Sequence, residues 1–259
     1  MKKKNFITGK SLGLPDYHEY RMNGQEYLAG ILGGVACAVL LAYIFYRSLF
    51  AVIFLCPVVP FCVKVQKERL CKRRKDMLKI QFKDALQSVS AALQAGYSLE
   101  NALREAAQDM QNMYGEDGLI TRELRAITEG IRNSRTPEEL FLSLAKRSGL
   151  EDIGDFAEVF SIAKRSGGDL PAVIRVCSMT IGDKIETAKE IQTLVAAKKL
   201  EGRIMDIIPC FIILYVDLSS PGFFDVLYGT VLGRVVMTIC LAVYAGAILL
   251  SEKIMSIEV

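Results

Sequence analysis

Four apolar blocks, two on each side of a long charged stretch, constrain this chain more than any other feature. YLAGILGGVACAVLLAYIFY (Tyr27–Tyr46) runs 20 residues without a charge, enough for a helix to cross a hydrocarbon core. SLFAVIFLCPVVPFCV (Ser48–Val63) is uncharged over 16 residues, borderline by itself, and only Arg47 separates it from the first block. IMDIIPCFIILYV (Ile204–Val216) carries Asp206 near its start, and VLYGTVLGRVVMTICLAVYAGAILL (Val226–Leu250) is interrupted only by Arg234. The turn-rich DLSSPGFFD lies between those two. This order reads as two transmembrane hairpins around a polar insert; the alternative for the two weaker blocks is buried core helices of a soluble domain. With 51% of residues hydrophobic and 24% charged, the two kinds are segregated along the chain rather than mixed. A cleavable signal is not expected, because the first 26 residues are polar and no small-residue cleavage site follows a short apolar region.

Charge orients the spans. Lys2, Lys3, Lys4, Lys10 and Arg21 precede the first block, and a basic run from Lys64 to Lys75 follows the second. Lys198, Lys199 and Arg203 precede the third block, and Lys253 follows the fourth. The two connecting turns hold one basic residue, Arg47. Basic residues collect on the cytoplasmic side of membrane proteins, so both termini and the insert are expected there. The expected layout is a cytoplasmic tail (1–26), a transmembrane hairpin (27–63), a cytoplasmic helical domain (64–203), a second hairpin (204–250) and a cytoplasmic tail (251–259). Of the seven cysteines, five lie in apolar blocks and two, Cys71 and Cys177, in the insert. No C-x-x-C or metal spacing occurs, so they read as small hydrophobes.

The insert is expected to be all-helical. Leu78, Phe82, Ala85, Val89 and Ala92 recur at helical spacing, as do Leu170, Ile174, Cys177, Ile181, Ile185, Ala188, Ile191 and Val195. Thr136-Pro137-Glu138-Glu139 offers an N-cap, a first-turn proline and a capping-box glutamate. The pentapeptide AKRSG occurs at Ala145–Gly149 and Ala163–Gly167, each time placing basic residues before a glycine, as a helix end favours. Six helices are predicted, near 66–95, 98–112, 119–133, 137–148, 152–166 and 169–203, the last running straight into the third block.

The insert also echoes itself. Gly96-Tyr97-Ser98-Leu99 and Gly167-Gly168-Asp169-Leu170 align at an offset of 71 residues, and Asp84 maps onto Asp155. The fold expected is therefore all-α, an integral membrane protein with four transmembrane helices and a cytoplasmic six-helix bundle of two pseudo-repeated hairpin units. Within IAKRSGGDLPAVI, Gly167 or Gly168 can end one helix in the left-handed conformation, Asp169 can cap the next, and Pro171 suits its first turn. Gly96, Ser98, Leu99 and Leu170 complete the two helix corners.

No catalytic constellation emerges. Thr8–Ser11 (TGKS) resembles the end of a P-loop, but Lys4 stands where the motif needs glycine and no buried strand precedes it. The single histidine, His18, has neither a nucleophile motif nor fellow metal ligands. GEDG at Gly115–Gly118 lacks the oxygen ligands of a calcium loop and reads as a turn. Asp206 and Arg234 invite a transport role, but both fall near span ends on opposite sides, where interfacial placement is the simpler account. Residues 64–83 carry a net charge of +7 and residues 84–203 a net of −4. The basic part adjoins the membrane and suits anionic lipid, and without interleaved aromatics it does not suit nucleic acid.

LQAGYSLENALREAA, followed by TPEELFLSLAKRSGLEDIGDFAEVFSIAKRSGGDLPAVI, resembles the type II secretion F domain, the cytoplasmic helical domain of pilus and secretion platform proteins. One such domain between two pairs of spans resembles the TadB/TadC branch, which serves the tight-adherence (Flp, type IVb) pilus. LPDYHEYRMNGQEYL and the ending EKIMSIEV are more similar to TadB than to TadC. The resemblance implies a non-enzymatic protein of the cytoplasmic membrane, without a cofactor. Its implied partners are a cytoplasmic assembly ATPase, a second TadC-like platform protein or a further copy of itself, pilin or prepilin, and membrane lipid. It would couple the ATPase to pilin extraction and polymerisation. A small transporter or channel subunit is the competing reading, and it predicts polar residues lining several spans.

Overall fold

The computed structural model describes residues 16–17, 22, 24–46, 58–220, 222–224 and 228–257. Among these there is no strand, and eight helices follow in order. They are α1 (Gly24–Tyr46), α2 (Val58–Gln94), α3 (Leu99–Tyr114), α4 (Leu119–Arg132), α5 (Pro137–Ser148), α6 (Glu151–Ser166), α7 (Leu170–Ser219) and α8 (Val231–Ile257). The chain divides into two compact units: Glu68–Glu186 with the N-terminal segment, and Met22–Lys67 with Thr187–Val259. Arg47 and residues 48–57 of the second apolar block lie outside the described residues.

The first unit is a helical bundle whose core follows the predicted spacing. Leu78, Phe82, Ala85, Val89 and Ala92 on α2 are all buried. They meet Leu103 and Met110 of α3, Leu124 and Ile127 of α4, Leu144 of α5 and Ile153 of α6. At the centre Phe156 sits edge-on to Phe82 and Phe141, with ring centroids 5.4 and 5.1 Å away, and 5.6 Å from Phe160. Such aromatic contacts add to the burial of the rings themselves. The void lined by these side chains is about 10 Å³, too small for any ligand beyond a single water.

Three details differ from the sequence reading. First, α2 starts at Val58 rather than near residue 66, so the end of the second apolar block is part of it. Nothing breaks the helix between Val63 and Lys64, and Pro60 falls in the first turn, where a missing N–H costs no intrahelical bond. Second, Thr136 has the extended backbone of an N-cap, but its side chain makes no cap bond. Pro137 at the first helical position and the Leu140 N–H bond to the Thr136 carbonyl (3.3 Å) start α5 instead. Third, the apolar series on α7 buries Ile174 and Ile181, while Ile191 is 38% exposed. Ile185 is the last member of the series packed on the core.

The second unit is made of apolar helices. Two stretches of 20 residues, Gly24–Tyr43 and Leu232–Ser251, are long and apolar enough to cross a membrane, and only 24% and 11% of their windows are buried. Neither is a core helix wrapped in protein. A stripe of small residues on α1, Gly30, Gly34, Ala38 and Ala42, is buried. Small residues let helix backbones approach closely. A Cβ on Gly34 would lie 3.1 Å from the Val59 Cα of α2, a backbone atom that cannot swing aside. Further along α1, Ala38 and Ala42 pack with Leu241 of α8, Phe45 meets Met237, and the Tyr46 and Thr238 hydroxyls share a 2.8 Å hydrogen bond.

Candidate functional site

The two helix corners share one set of bonds at the 71-residue offset. Gly96 has φ +90° and Gly167 φ +70°, the left-handed region where glycine carries no steric penalty. One residue further on, the Tyr97 N–H reaches the Ala92 carbonyl (3.1 Å), and the Gly168 N–H reaches the Ala163 carbonyl (2.9 Å). These six-to-one bonds close the preceding helices. The next residue caps the following helix in both places: Ser98 Oγ accepts from the Asn101 N–H (3.4 Å), and Asp169 Oδ1 from the Ala172 N–H (3.2 Å). Leu99 and Leu170 then turn onto the core. Pro171 sits in the first turn of α7, and its carbonyl accepts from Ser90 Oγ (3.4 Å). Asp169→Ala is expected to cost about 1 kcal/mol, as lost caps do, and Asp169→Asn much less. Thermal unfolding of the full chain in detergent, followed by far-UV circular dichroism, measures both.

The mapped aspartates differ in their partners. Tyr114 donates its hydroxyl to Asp84 Oδ2, while Asp155 lies 4.0 Å from Lys184. The hydrogen bond to Asp84, then burial, push the Tyr114 phenol up to about 12. Its folded value lies above the ordinary phenol value of about 10, so the bond's contribution is whole below that pH and is lost as pH rises through about 12. NMR titration of ring-labelled tyrosine should find the Tyr114 phenol ionising late, and Asp84→Asn should return it toward the ordinary value. Asp152 sits nearby on α6. Burial works against its charge, but hydrogen bonds from Lys184 (2.8 Å) and Lys79 (2.7 Å) outweigh it and hold its pKa below the carboxylate norm.

Asp206 and Arg234 are not brought together. The Asp206 carbonyl accepts the Tyr244 hydroxyl, and Arg234 Nε donates to the Tyr228 carbonyl (3.1 Å). Arg234 and Tyr244 are ten residues apart on α8, about 15 Å along a helix. Among the described residues no group of three His, Cys, Asp or Glu could hold a metal ion. Thr8–Ser11 and His18 lie outside the described residues.

A buried polar cluster escaped the sequence reading. Glu123 on α4 is wholly buried. Arg147 on α5 grips it with Nη1 and Nη2, at 2.8 and 2.5 Å, the bidentate pairing that suits a desolvated carboxylate. Tyr17 donates its hydroxyl to Glu123 Oε1 (3.0 Å) and is 1% exposed. Burial, then the Glu123 charge and this hydrogen bond, raise the Tyr17 phenol far above its ordinary value. Glu123 shares a helix face with Ile120, Leu124 and Ile127, so a carboxylate at a core register position was the readable sign.

The described residues thus form a helical bundle and two helices long and apolar enough to cross a membrane. The model of the family described as type II secretion system (T2SS), protein F, matches residues 85–217, and the chain belongs to that family. It is a family of non-enzymatic, inner-membrane platform proteins that generally work with an ATPase and other platform proteins. No curated protein and no solved structure matches the chain.

Proposed function

We propose that the chain is a cytoplasmic-membrane platform protein of a Tad/Flp type IVb pilus or a type II secretion-like machine. It couples a cytoplasmic assembly ATPase to pilin extraction and polymerisation, alongside a TadC-like partner or a further copy. In this reading four spans hold it in the membrane, with both termini and residues 64–203 cytoplasmic. The carrying observation is the family match over residues 85–217, which takes in the bundle from α2 onward and reaches into the third apolar block. The outward apolar side chains of that block, among them Phe211 and Tyr215 at 67% and 71% exposure, support its placement in lipid.

Coupling requires a stiff connection, and α7 is one helix from Leu170 to Ser219 with Pro209 inside it. A push on its bundle end is carried along the helix. A flexible Gly-Ser segment inserted between Lys198 and Gly202 is expected to leave the protein folded and inserted while abolishing pilus assembly. Normal pili from such a variant would defeat rigid coupling. Co-purification of the full chain with the candidate ATPase tests the partnership itself, and no association under conditions that preserve the membrane complex would overturn it.

A further inference from the structure

We propose that the helical bundle carries a docking pocket for a tyrosine-bearing peptide segment, which the chain's own Asp16–Tyr17 fills in cis. Tyr17 is not a residue of any helix, yet every group it owns is met. Its hydroxyl donates to Glu123 Oε1 at 3.0 Å. The Arg74 guanidinium stands over its ring, 4.8 Å from the centroid, the geometry of cation–π attraction. Its backbone N–H donates to the Arg147 carbonyl (3.1 Å), and its own carbonyl accepts the Cys71 thiol (3.5 Å). Asp16 adds a negative charge that favours the Arg147 cation.

Main-chain donor, main-chain acceptor, ring face and phenol are thus all read, which is how an extended segment is recognised by a folded surface. The pocket groups belong to three helices, α2, α4 and α5, and Tyr17 joins the buried cluster that those helices form. Glu123 and Arg147 hold each other independently of it. Tyr17 lies 54 to 130 residues away in sequence from Cys71, Glu123 and Arg147. The contact joins a segment remote in sequence to a Glu123–Arg147 pair supplied by the bundle's own helices, and the site also accepts the same segment from outside the chain. A phenylalanine at position 17 fills the space but leaves Glu123 without the hydroxyl donor, so the pocket selects tyrosine.

Cys71 reports occupancy, because its thiol is bonded to the docked backbone. In the full chain in detergent, Tyr17→Ala is expected to speed maleimide labelling of Cys71 about tenfold, the scale of a lost hydrogen bond to a charged group. Labelling is read at that cysteine by peptide mass spectrometry. Adding the synthetic peptide LGLPDYHEYR (residues 12–21) at millimolar concentration should restore protection. The same peptide with phenylalanine for Tyr17 should not, and wild-type protein should not respond. Unchanged Cys71 labelling in Tyr17→Ala, or a folded variant that the peptide fails to protect, overturns the proposal. Should Tyr17→Ala fail to fold, Tyr17→Phe keeps the ring; faster Cys71 labelling reversed by the tyrosine peptide supports the pocket, and no change refutes it.

Discussion

Phe156→Ala is expected to destabilise the first unit by about 3–5 kcal/mol. Phe156 is 1% exposed and touches three other rings, Phe82, Phe141 and Phe160. Truncation removes the transfer energy of the ring and leaves a hole beside a void of about 10 Å³, and helices packed from several directions collapse only partly into such a hole. Native-state hydrogen exchange on the full chain in detergent gives the reading. Amides in α3 and α6 should exchange faster by roughly two to three and a half orders of magnitude, at about 1.4 kcal/mol per tenfold. Val159→Ala on the same helix, where Val159 is 43% exposed, should stay within about 0.5 kcal/mol. A small effect at Phe156 would mean that the bundle repacks freely.

Arg147→Met ranks with it. Its partner Glu123 has a side chain 0% exposed, and that of Arg147 is 11% exposed. Removing one member of a buried ion pair strands the other charge, which costs about 3–5 kcal/mol. Replacing both members with apolar residues of similar size is often neutral, so Arg147→Met combined with Glu123→Leu should recover most of the loss. The remainder should reflect the Tyr17 hydroxyl, deprived of its acceptor. Urea unfolding of the two variants and of wild type, measured in one detergent, separates these contributions. If the double variant is as unstable as the single, the stranded charge is not the cause.

The helices of the first unit were legible because their apolar residues recur at 3.6-residue spacing and their ends carry explicit stops. Both AKRSG copies end in a left-handed glycine, Gly149 with φ 61° and Gly167 with φ 70°. In both, the serine hydroxyl returns to the alanine carbonyl at 3.1 Å. Local sequence decides that much. It does not decide what the arginine does: Arg147 is mostly covered and paired with Glu123, whereas Arg165 is exposed. That difference comes from α4, which brings a carboxylate to one copy and not to the other. The Tyr17 contacts were illegible for the same reason, since each partner lies at least 54 residues away in sequence. Helical spacing also says nothing about where a bundle stops, so Ile191 reads like Ile181 although only Ile181 is buried.

The near-absence of empty space among the four phenylalanines has a consequence for how the bundle responds to force. A closely packed interior is hardly compressible, so displacement of one helix is passed to its neighbours rather than absorbed as local slack. Little void volume is also available to be eliminated on unfolding, and that volume is what makes hydrostatic pressure effective as a denaturant. A body of this kind stores little elastic work and moves as one piece.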